Sequence, residues 1–239
     1  MAKISQILAM IFGLTASAAL NAQSCTLPAD IRQTHLEAQH AETRQAKIGG
    51  YLLSFSWSPE VCFNAQSHPH DSAQDITLQC GPDKHFGFVL HGLWPEGQVE
   101  NGWPQYCRKV EPVAPATLRK MLCHTPSVSL IEHEWEKHGS CAAPTPEVFF
   151  AQSARLADAV RLPSLAGLTR GQVNASAVRA TLIAANPRLP HNAIGIRVNK
   201  GGWLEEVRLC LDTGFHYRAC PSYSIGAQDG DRIKIARIR

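Results

Sequence analysis

The sequence has no internal repeat, no Pro- or Gly-rich linker and no low-complexity tract over its 239 residues. Repeat arrays and linker-joined domains are therefore excluded. The net charge is small, at +3, which tolerates an anionic ligand but does not by itself indicate nucleic-acid binding. The apolar share of 44% and the charged share of 18% are those of an ordinary globular chain, so we expect one large domain.

No apolar run is long enough to cross a bilayer, because the main one covers only residues 7–14. Lys3 precedes this run, and small residues follow it as far as Ala22, which is the pattern of a secretory signal. A buried core helix is the alternative, but the initiator methionine and the positive start favour export. We predict a signal peptide over residues 1–22, cut after Ala19 or Ala22, and a periplasmic or secreted protein without a membrane anchor.

None of the eight cysteines forms a close Cys-x-x-Cys pair, the spacing typical of zinc ribbons and redox motifs. An even number of cysteines in an exported chain predicts a disulfide framework, here of four bonds. The spacing alone leaves many pairings open.

Two apolar stretches predict strands. Residues 51–57 alternate large apolar side chains with smaller ones, which indicates a strand with one strongly apolar face. The stretch FGFVLHGLWPEG, from 86 to 97, begins as a short buried strand and places His91 at the strand's end, ready to project into a cleft. A core histidine bonded to a carbonyl is the alternative. Trp94 and Glu96 follow, and the tryptophan suits stacking on a flat ligand.

The stretch SLIEHEWEKHGSC, from 129 to 141, predicts a short helix. Ser129 and Glu132 form a capping-box pattern, and Gly139 stands where helices usually end. A solvated polar face is the ordinary alternative, but Trp135 and the density of ionisable groups argue against it. At about 100° per residue, four ionisable side chains share one short face. They are His133, Glu134, Lys137 and His138.

A zinc site is the sharper alternative, since His-Glu opens a zinc-protease signature. That signature requires a second histidine four residues after the first, so that both nitrogens share a face. Position 137 is Lys137 and the histidine is His138, one residue too late. An ammonium group between two ligands repels a cation, so we predict no metal.

The motifs HGLWP and HEWEKHGSC, together with the strand that leads to Cys62, resemble the ribonuclease T2 family of secreted, base-nonspecific ribonucleases. The resemblance covers about residues 50–141 well and continues weakly to 221. It implies an α+β fold, an antiparallel sheet core packed with helices in a single disulfide-linked domain over residues 23–239. It also implies an endoribonuclease that cleaves single-stranded RNA through the 2′-hydroxyl to 2′,3′-cyclic phosphates.

The resemblance assigns five roles. His138 would be the general base and His91 the general acid, while His133 would bind phosphate and add charge there. Glu134 and Lys137 would stabilise the transition state. Two imidazoles suit this chemistry because an unperturbed imidazole titrates near neutral pH. The position of His138 near the expected helix end should favour its cationic form.

Trp94 would stack on the base, with Glu96 as a hydrogen-bonding partner. Fungal relatives carry aspartate at the Glu96 position, so base preference stays open. The resemblance implies RNA as the partner, no cofactor and a monomer. Two alternatives stay open: a catalytically silent scaffold of the same fold, which the full set of ionisable residues argues against, and a periplasmic metal-dependent hydrolase.

The resemblance also implies disulfide pairs. The cysteine after HGLWP would bond the one that closes HEWEKHGSC, and the cysteine after the 51–57 strand would bond one just before HGLWP. The remaining four would pair locally or by elimination. The implied bonds are Cys107–Cys141, Cys62–Cys80, Cys210–Cys220 and Cys25–Cys123.

Overall fold

The computed structural model describes residues 27–33, 42–65 and 73–238. The predicted signal peptide over 1–22 and the cysteine Cys25 lie outside the described residues. In the part of the chain that is described, no helix is both long and apolar enough to span a membrane.

A four-stranded antiparallel sheet forms the centre of the fold, with the strand order β2-β1-β5-β4. Its strands are β1 (Gly50–Trp57), β2 (Phe88–Glu96), β4 (Ile194–Val198) and β5 (Leu204–Leu211). A small second sheet pairs β3 (Gln172–Asn174) with β6 (Arg232–Lys234). Together with the helices, this is the α+β class that the sequence predicts, with an antiparallel core in one domain.

The helices surround this sheet. They are α1 (Ser58–Asn64), α2 (Ala73–Cys80), α3 (Pro115–Met121), α4 (Val128–Glu134), α5 (Ser140–Ala142), α6 (Pro146–Asp158), α7 (Ala175–Ala185) and α8 (Ser222–Ile225). Helix α6 packs on β1 and β2, while α4 packs on β2. Thr145 caps α6 and Pro146 stands in its first turn, because proline lacks the N–H that this turn leaves unpaired.

Strand β1 lies at the centre of the sheet, and all eight of its residues are buried. The alternation seen in the sequence separates two faces. Tyr51, Leu53, Phe55 and Trp57 join the hydrophobic core beneath the helices. Each such side chain contributes roughly 1.5–3 kcal/mol on burial. Ser54 and Ser56, on the other face, are buried too, so this face is not the solvent side of the sheet. It forms the floor of a cleft.

Disulfides join the elements around the cleft. The structure contains Cys62–Cys80, Cys107–Cys141 and Cys210–Cys220, the pairs that the resemblance implies. Cys123 is also disulfide-bonded. Its expected partner, Cys25, lies outside the described residues. The Cys107–Cys141 bond attaches α5, at the end of the HEWEKHGSC motif, to the loop that follows β2.

Candidate active site

A cleft of about 620 Å³ opens over β2 and β5 beside α4. The seven side chains that the sequence singles out for catalysis and base binding all line it. They are His91, Trp94, Glu96, His133, Glu134, Lys137 and His138. The two sequence motifs therefore meet in one place, although about forty residues separate them.

His91 reaches the cleft through a bulge in β2. The sequence predicts His91 at a strand's end, and this is wrong, because β2 continues through the motif to Glu96. Ser54 of β1 pairs with Gly92, whereas the next residue, Phe55, pairs with Leu90. His91 is thus the extra residue of a bulge. A bulge re-aims a side chain locally while the strand continues, and here it aims the imidazole at the cleft.

Three side chains surround the His91 ring. Its Nδ1 lies 2.9 Å from Oε1 of Glu206 and 3.1 Å from the Ser56 hydroxyl. Its Nε2 lies 3.6 Å from Oε1 of Glu134, which is too long for a hydrogen bond. Burial acts to lower the pKa of His91, but the Glu206 hydrogen bond and the two carboxylates outweigh it, so the pKa is raised. His91 is therefore poised to hold and donate a proton.

The helix that carries the second motif begins and ends elsewhere than the sequence predicts. Ser127, not Ser129, caps it, because the Ser127 hydroxyl accepts from the Leu130 amide at 3.1 Å. Gly139 does not end it, since the chain stays helical to Ala142. Glycine is needed at 139 for space instead. A Cβ there would lie 2.4 Å from the Trp135 ring.

Between α4 and α5 the chain makes a π-helical turn over Trp135–Gly139. The Ser140 amide donates to the carbonyl of Trp135, five residues earlier. Such wide turns are rare and often occur at functional sites. Because one turn here takes five residues, His133 and His138 come together on one side, with ring centroids 6.5 Å apart. A regular helix would separate them by roughly 140°.

The pKa values of the two helix histidines are both lowered. Burial is the main cause for His138, and the charges of Lys137, His133 and His91 act in the same direction, so its pKa lies well below the ordinary value. The expectation that a helix end favours its cationic form is wrong, because the helix continues and the ring is buried. Burial and Lys137 lower the pKa of His133 to about 4. Both rings are neutral at pH 7.

Glu134 is almost fully buried beside these histidines, at 2% exposure. Its Oε2 accepts a hydrogen bond of 2.7 Å from Nε1 of Trp94. Burial raises its pKa to about 7, although His91, the Trp94 bond and Lys137 act to lower it. A carboxyl group with this pKa changes charge readily in the neutral range, so nearby positive charge decides its state.

Trp94 stands among the other side chains of the cleft. Its ring stacks on His138 with centroids 5.5 Å apart, meets His91 edge-on at 4.9 Å, and carries the Arg208 guanidinium 4.9 Å from its centroid. Together with its bond to Glu134, these contacts allow Trp94 to hold four ionisable side chains of the site in place. Stacking on a base stays a prediction.

Glu96 closes the other end of the cleft, at the end of β2. Burial raises its pKa, while hydrogen bonding with Tyr223, the charges of Arg218 and Arg208, and a hydrogen bond with Ser224 oppose that rise. Its Oε2 is buried and has no hydrogen-bonding partner among the described residues. One acceptor therefore stays available there.

Glu206 and Arg208 are among the charged residues of the cleft that sequence reasoning missed. Both lie in the stretch LEEVRLCL, from 204 to 211, outside the two motifs. A signal was present, because alternation along a strand puts these two charges on one face and Val207 and Leu209 on the other. A charged pair within a buried central strand is costly unless both members have partners. Ser56 was missed as well, and a serine within an apolar strand offers no such signal.

The arrangement can perform acid–base chemistry. One imidazole, His138, is neutral and can accept a proton, while another, His91, holds its proton more firmly than free histidine does. The ammonium of Lys137 lines the same cleft. In the described part of the chain, no three His, Cys, Asp or Glu side chains are grouped as metal ligands would be.

Comparison with known proteins supplies relatives for this arrangement. A probable ribonuclease of Haemophilus influenzae is 33% identical over 128 residues, which cover 52% of this chain and 47% of that relative. A ribonuclease of Aeromonas hydrophila is 38% identical over 105 residues, covering 44% and 43%. The matched region thus spans about half the length of these curated relatives.

A solved structure has a similar fold. Trichomaglin, described as a novel S-like ribonuclease, superposes with a TM-score of 0.59 at 17% identity, covering 81% of this chain and 100% of that one. At this identity the likeness concerns the fold. The ribonuclease T2 family itself matches residues 48–220, which include both motifs, all four strands of the central sheet and the seven cleft residues that the sequence singles out. The chain belongs to the ribonuclease T2 family.

Proposed function

We propose that the protein is an endoribonuclease that cleaves single-stranded RNA by transesterification, leaving 2′,3′-cyclic phosphates, with low base specificity. One observation carries the proposal: two histidines in one cleft have pKa values shifted in opposite directions. A reaction that removes one proton and delivers another needs such a pair.

In this mechanism neutral His138 accepts the proton of the 2′-hydroxyl. Its Nδ1 is buried and has no hydrogen-bonding partner among the described residues, so proton exchange falls to Nε2. The freed 2′-oxygen attacks the phosphorus and forms the cyclic ester. The bond to the 5′-oxygen breaks, and this oxygen takes the proton from Nε2 of His91. The two proton transfers balance, because one histidine gains what the other loses.

The negative charge of the phosphorane needs compensation as it forms. Lys137 supplies a full positive charge in the cleft. His133 was expected to add charge, but with a pKa of about 4 it is neutral and acts as a hydrogen-bond donor to a phosphate oxygen. The negative charge of Glu134, 3.6 Å from Nε2 of His91, favours the protonated form of His91. The reaction as drawn requires no metal, because the nucleophile belongs to the substrate.

The cellular setting is part of the proposal. Three disulfides within the described chain fit an oxidising compartment, so we place the enzyme in the periplasm or outside the cell. We also propose that it acts as a monomer. The division into a signal over 1–22 and a catalytic domain over 23–239 stays a prediction.

The test uses purified protein, a panel of dinucleotides and their 2′-deoxy counterparts, each with and without excess chelator. We expect cyclic phosphate products from the ribose forms only, unchanged by the chelator. His91→Ala and His138→Ala should each lower kcat by about 100-fold or more. His216→Ala is the matched control, because this histidine is exposed and does not line the cleft. Cleavage of a deoxy substrate would refute the mechanism, and an inactive wild-type protein would favour a silent scaffold.

A further inference from the structure

Glu206 is the least expected group beside the proposed acid. Only 8% of its surface is exposed, and it lies on β5, 115 positions after His91 in the chain. Its two oxygens have separate partners. Oε1 lies 2.9 Å from Nδ1 of His91, whereas Oε2 accepts from Nε and Nη2 of Arg208 at 2.8 and 2.7 Å. If Glu206 served only as an ion-pair partner of Arg208, its carboxylate would not also contact His91.

The geometry points to Glu206 as a positioning residue, whose carboxylate holds the Nδ1–H of His91 so that Nε2 alone exchanges a proton with the leaving 5′-oxygen. This inference rests on the proposed ribonuclease function. A neutral imidazole carries its one proton on either nitrogen, and the hydrogen bond at one nitrogen decides which. With Glu206 at Nδ1, the proton that His91 loses and regains is the one on Nε2.

The charge of Glu206 supports this role. Burial acts to raise its pKa, but the hydrogen bond and charge of His91, together with Arg208, lower it to about 2. The carboxylate is thus ionised throughout the working range and can only accept. The Ser56 hydroxyl, 3.1 Å from the same Nδ1, is a neutral and weaker competitor for the proton.

Arg208 holds the carboxylate in place. Its guanidinium binds Oε2 through two nitrogens and also lies over the Trp94 ring. A carboxylate that is held on both sides keeps a fixed direction toward His91, which leaves the imidazole little freedom to turn. Arg208 thereby connects the proposed acid to the tryptophan that contacts both histidines.

The ionisable groups that face His91 come from β5 and from the helical chain that carries the second motif. From β5 these are Glu206 and Arg208, from α4 they are His133 and Glu134, and from the π-helical turn it is His138. Removing the charge of Glu206 leaves Arg208 unpaired, and both changes disfavour protonated His91. The pKa of His91 therefore falls, and the high-pH limb of the rate profile, where the acid loses its proton, moves to lower pH.

The test is Glu206→Gln, with Glu205→Gln as the matched control on the same strand. Glu205 pairs with Arg197 instead of His91. We expect Glu206→Gln to lower kcat at pH 7 by about 10- to 100-fold, as loss of a carboxylate that orients a metal-binding histidine does. KM should stay within about twofold, because Glu206 is not expected to touch RNA. The high-pH limb should move down by about one unit, and the loss should be smaller at pH 5.

A second readout does not depend on activity. Nitrogen-15 NMR at a pH above the pKa of His91, where the imidazole is neutral, reports which nitrogen carries the remaining proton. We expect Nδ1–H in the wild type and a tautomer mixture in Glu206→Gln. If Glu206→Gln does not fold, Glu206→Asp decides, since it keeps the charge at shorter reach. It should retain the high-pH limb and lose kcat.

The outcomes are distinguishable. A wild-type protein that shows the Nδ1 tautomer but cleaves no RNA would defeat the proposed function and not the contact. An active wild type whose Glu206→Gln variant keeps kcat, pH profile and tautomer would overturn the inference. A loss in Glu205→Gln equal to that in Glu206→Gln would also overturn it.

Discussion

Gly92 leaves room for the buried carboxyl of Glu134. A Cβ at this position would lie 1.8 Å from Oε2 of Glu134, 2.5 Å from its Cδ and 2.8 Å from Nε1 of Trp94. The backbone φ of Gly92 is not positive, so alanine there meets no conformational penalty of its own. The whole effect of Gly92→Ala therefore comes from the lack of space.

The magnitude follows from these distances. Ordinary contact begins near 3.4 Å, so the Glu134 carboxylate must move by about 1.6 Å. Such a movement breaks its 2.7 Å bond to Trp94. A 1 Å misplacement near the chemistry lowers rates by about 100-fold, and we expect at least that loss in kcat/KM. Overpacking should lower the free energy of unfolding by about 1–3 kcal/mol, which leaves the protein folded.

The assay compares kcat/KM on one dinucleotide with the melting temperature from circular dichroism. Gly167→Ala is the matched control, because a Cβ there has nothing within 4 Å. A second comparison places Gly92→Ala in a Glu134→Ala background, where only the 2.8 Å approach to Trp94 remains, so the further loss should be well below that in the wild-type background. A Gly92→Ala enzyme within threefold of wild type would refute the reasoning.

Three further predictions follow from the pKa directions and contacts. The plot of kcat/KM against pH should be bell-shaped with a broad plateau, because the lowered pKa of His138 sets the acidic limb and the raised pKa of His91 sets the basic limb. Two limbs less than one pH unit apart would contradict this. Trp94→Phe keeps a ring but removes the donor to Glu134, so kcat should fall by about tenfold in steady-state assays, and an unchanged kcat would make the bond dispensable. Glu132 is buried, and desolvation is the main cause that raises its pKa to about 7, so the folded protein binds this proton more tightly than the unfolded chain does and loses stability as pH rises from about 4.5 to 7. Glu132→Gln should therefore raise the melting temperature at pH 8 but not at pH 4. Equal effects at both pH values would contradict this.

Local patterns predicted much of the fold. The alternation over 51–57 indicated a strand, and β1 occupies Gly50–Trp57. The start of α6, with Thr145 as its cap and Pro146 in its first turn, is likewise encoded by neighbouring residues. These signals succeed because capping and alternation depend on residues close together in the chain. The capping box at Ser129 failed for the opposite reason: Ser129 Oγ donates to Asp75 at 2.6 Å, and Ser127 is left to cap the helix.

For the candidate site too, the sequence predicted some properties and missed others. Two motifs were enough to name His91 and His138 and to identify the family, because side chains with this chemistry at these spacings are specific. The protonation state of each was not available from the motifs, and for His138 the expected direction was wrong. A pKa depends on burial and on charges brought near by folding, which the neighbouring sequence does not record.

Three features were decided by the tertiary structure alone. Pairing of β1 with β2 made His91 a bulge residue, and packing of Trp135 against Phe149 accompanies a π turn that brings His133 toward His138. Pairing of β1 with β5 brought Glu206 to His91 across 115 positions of the chain. The sequence specified which residues can move protons. Contacts between distant strands determined where each proton sits, because strand register and desolvation exist only once the sheet has formed.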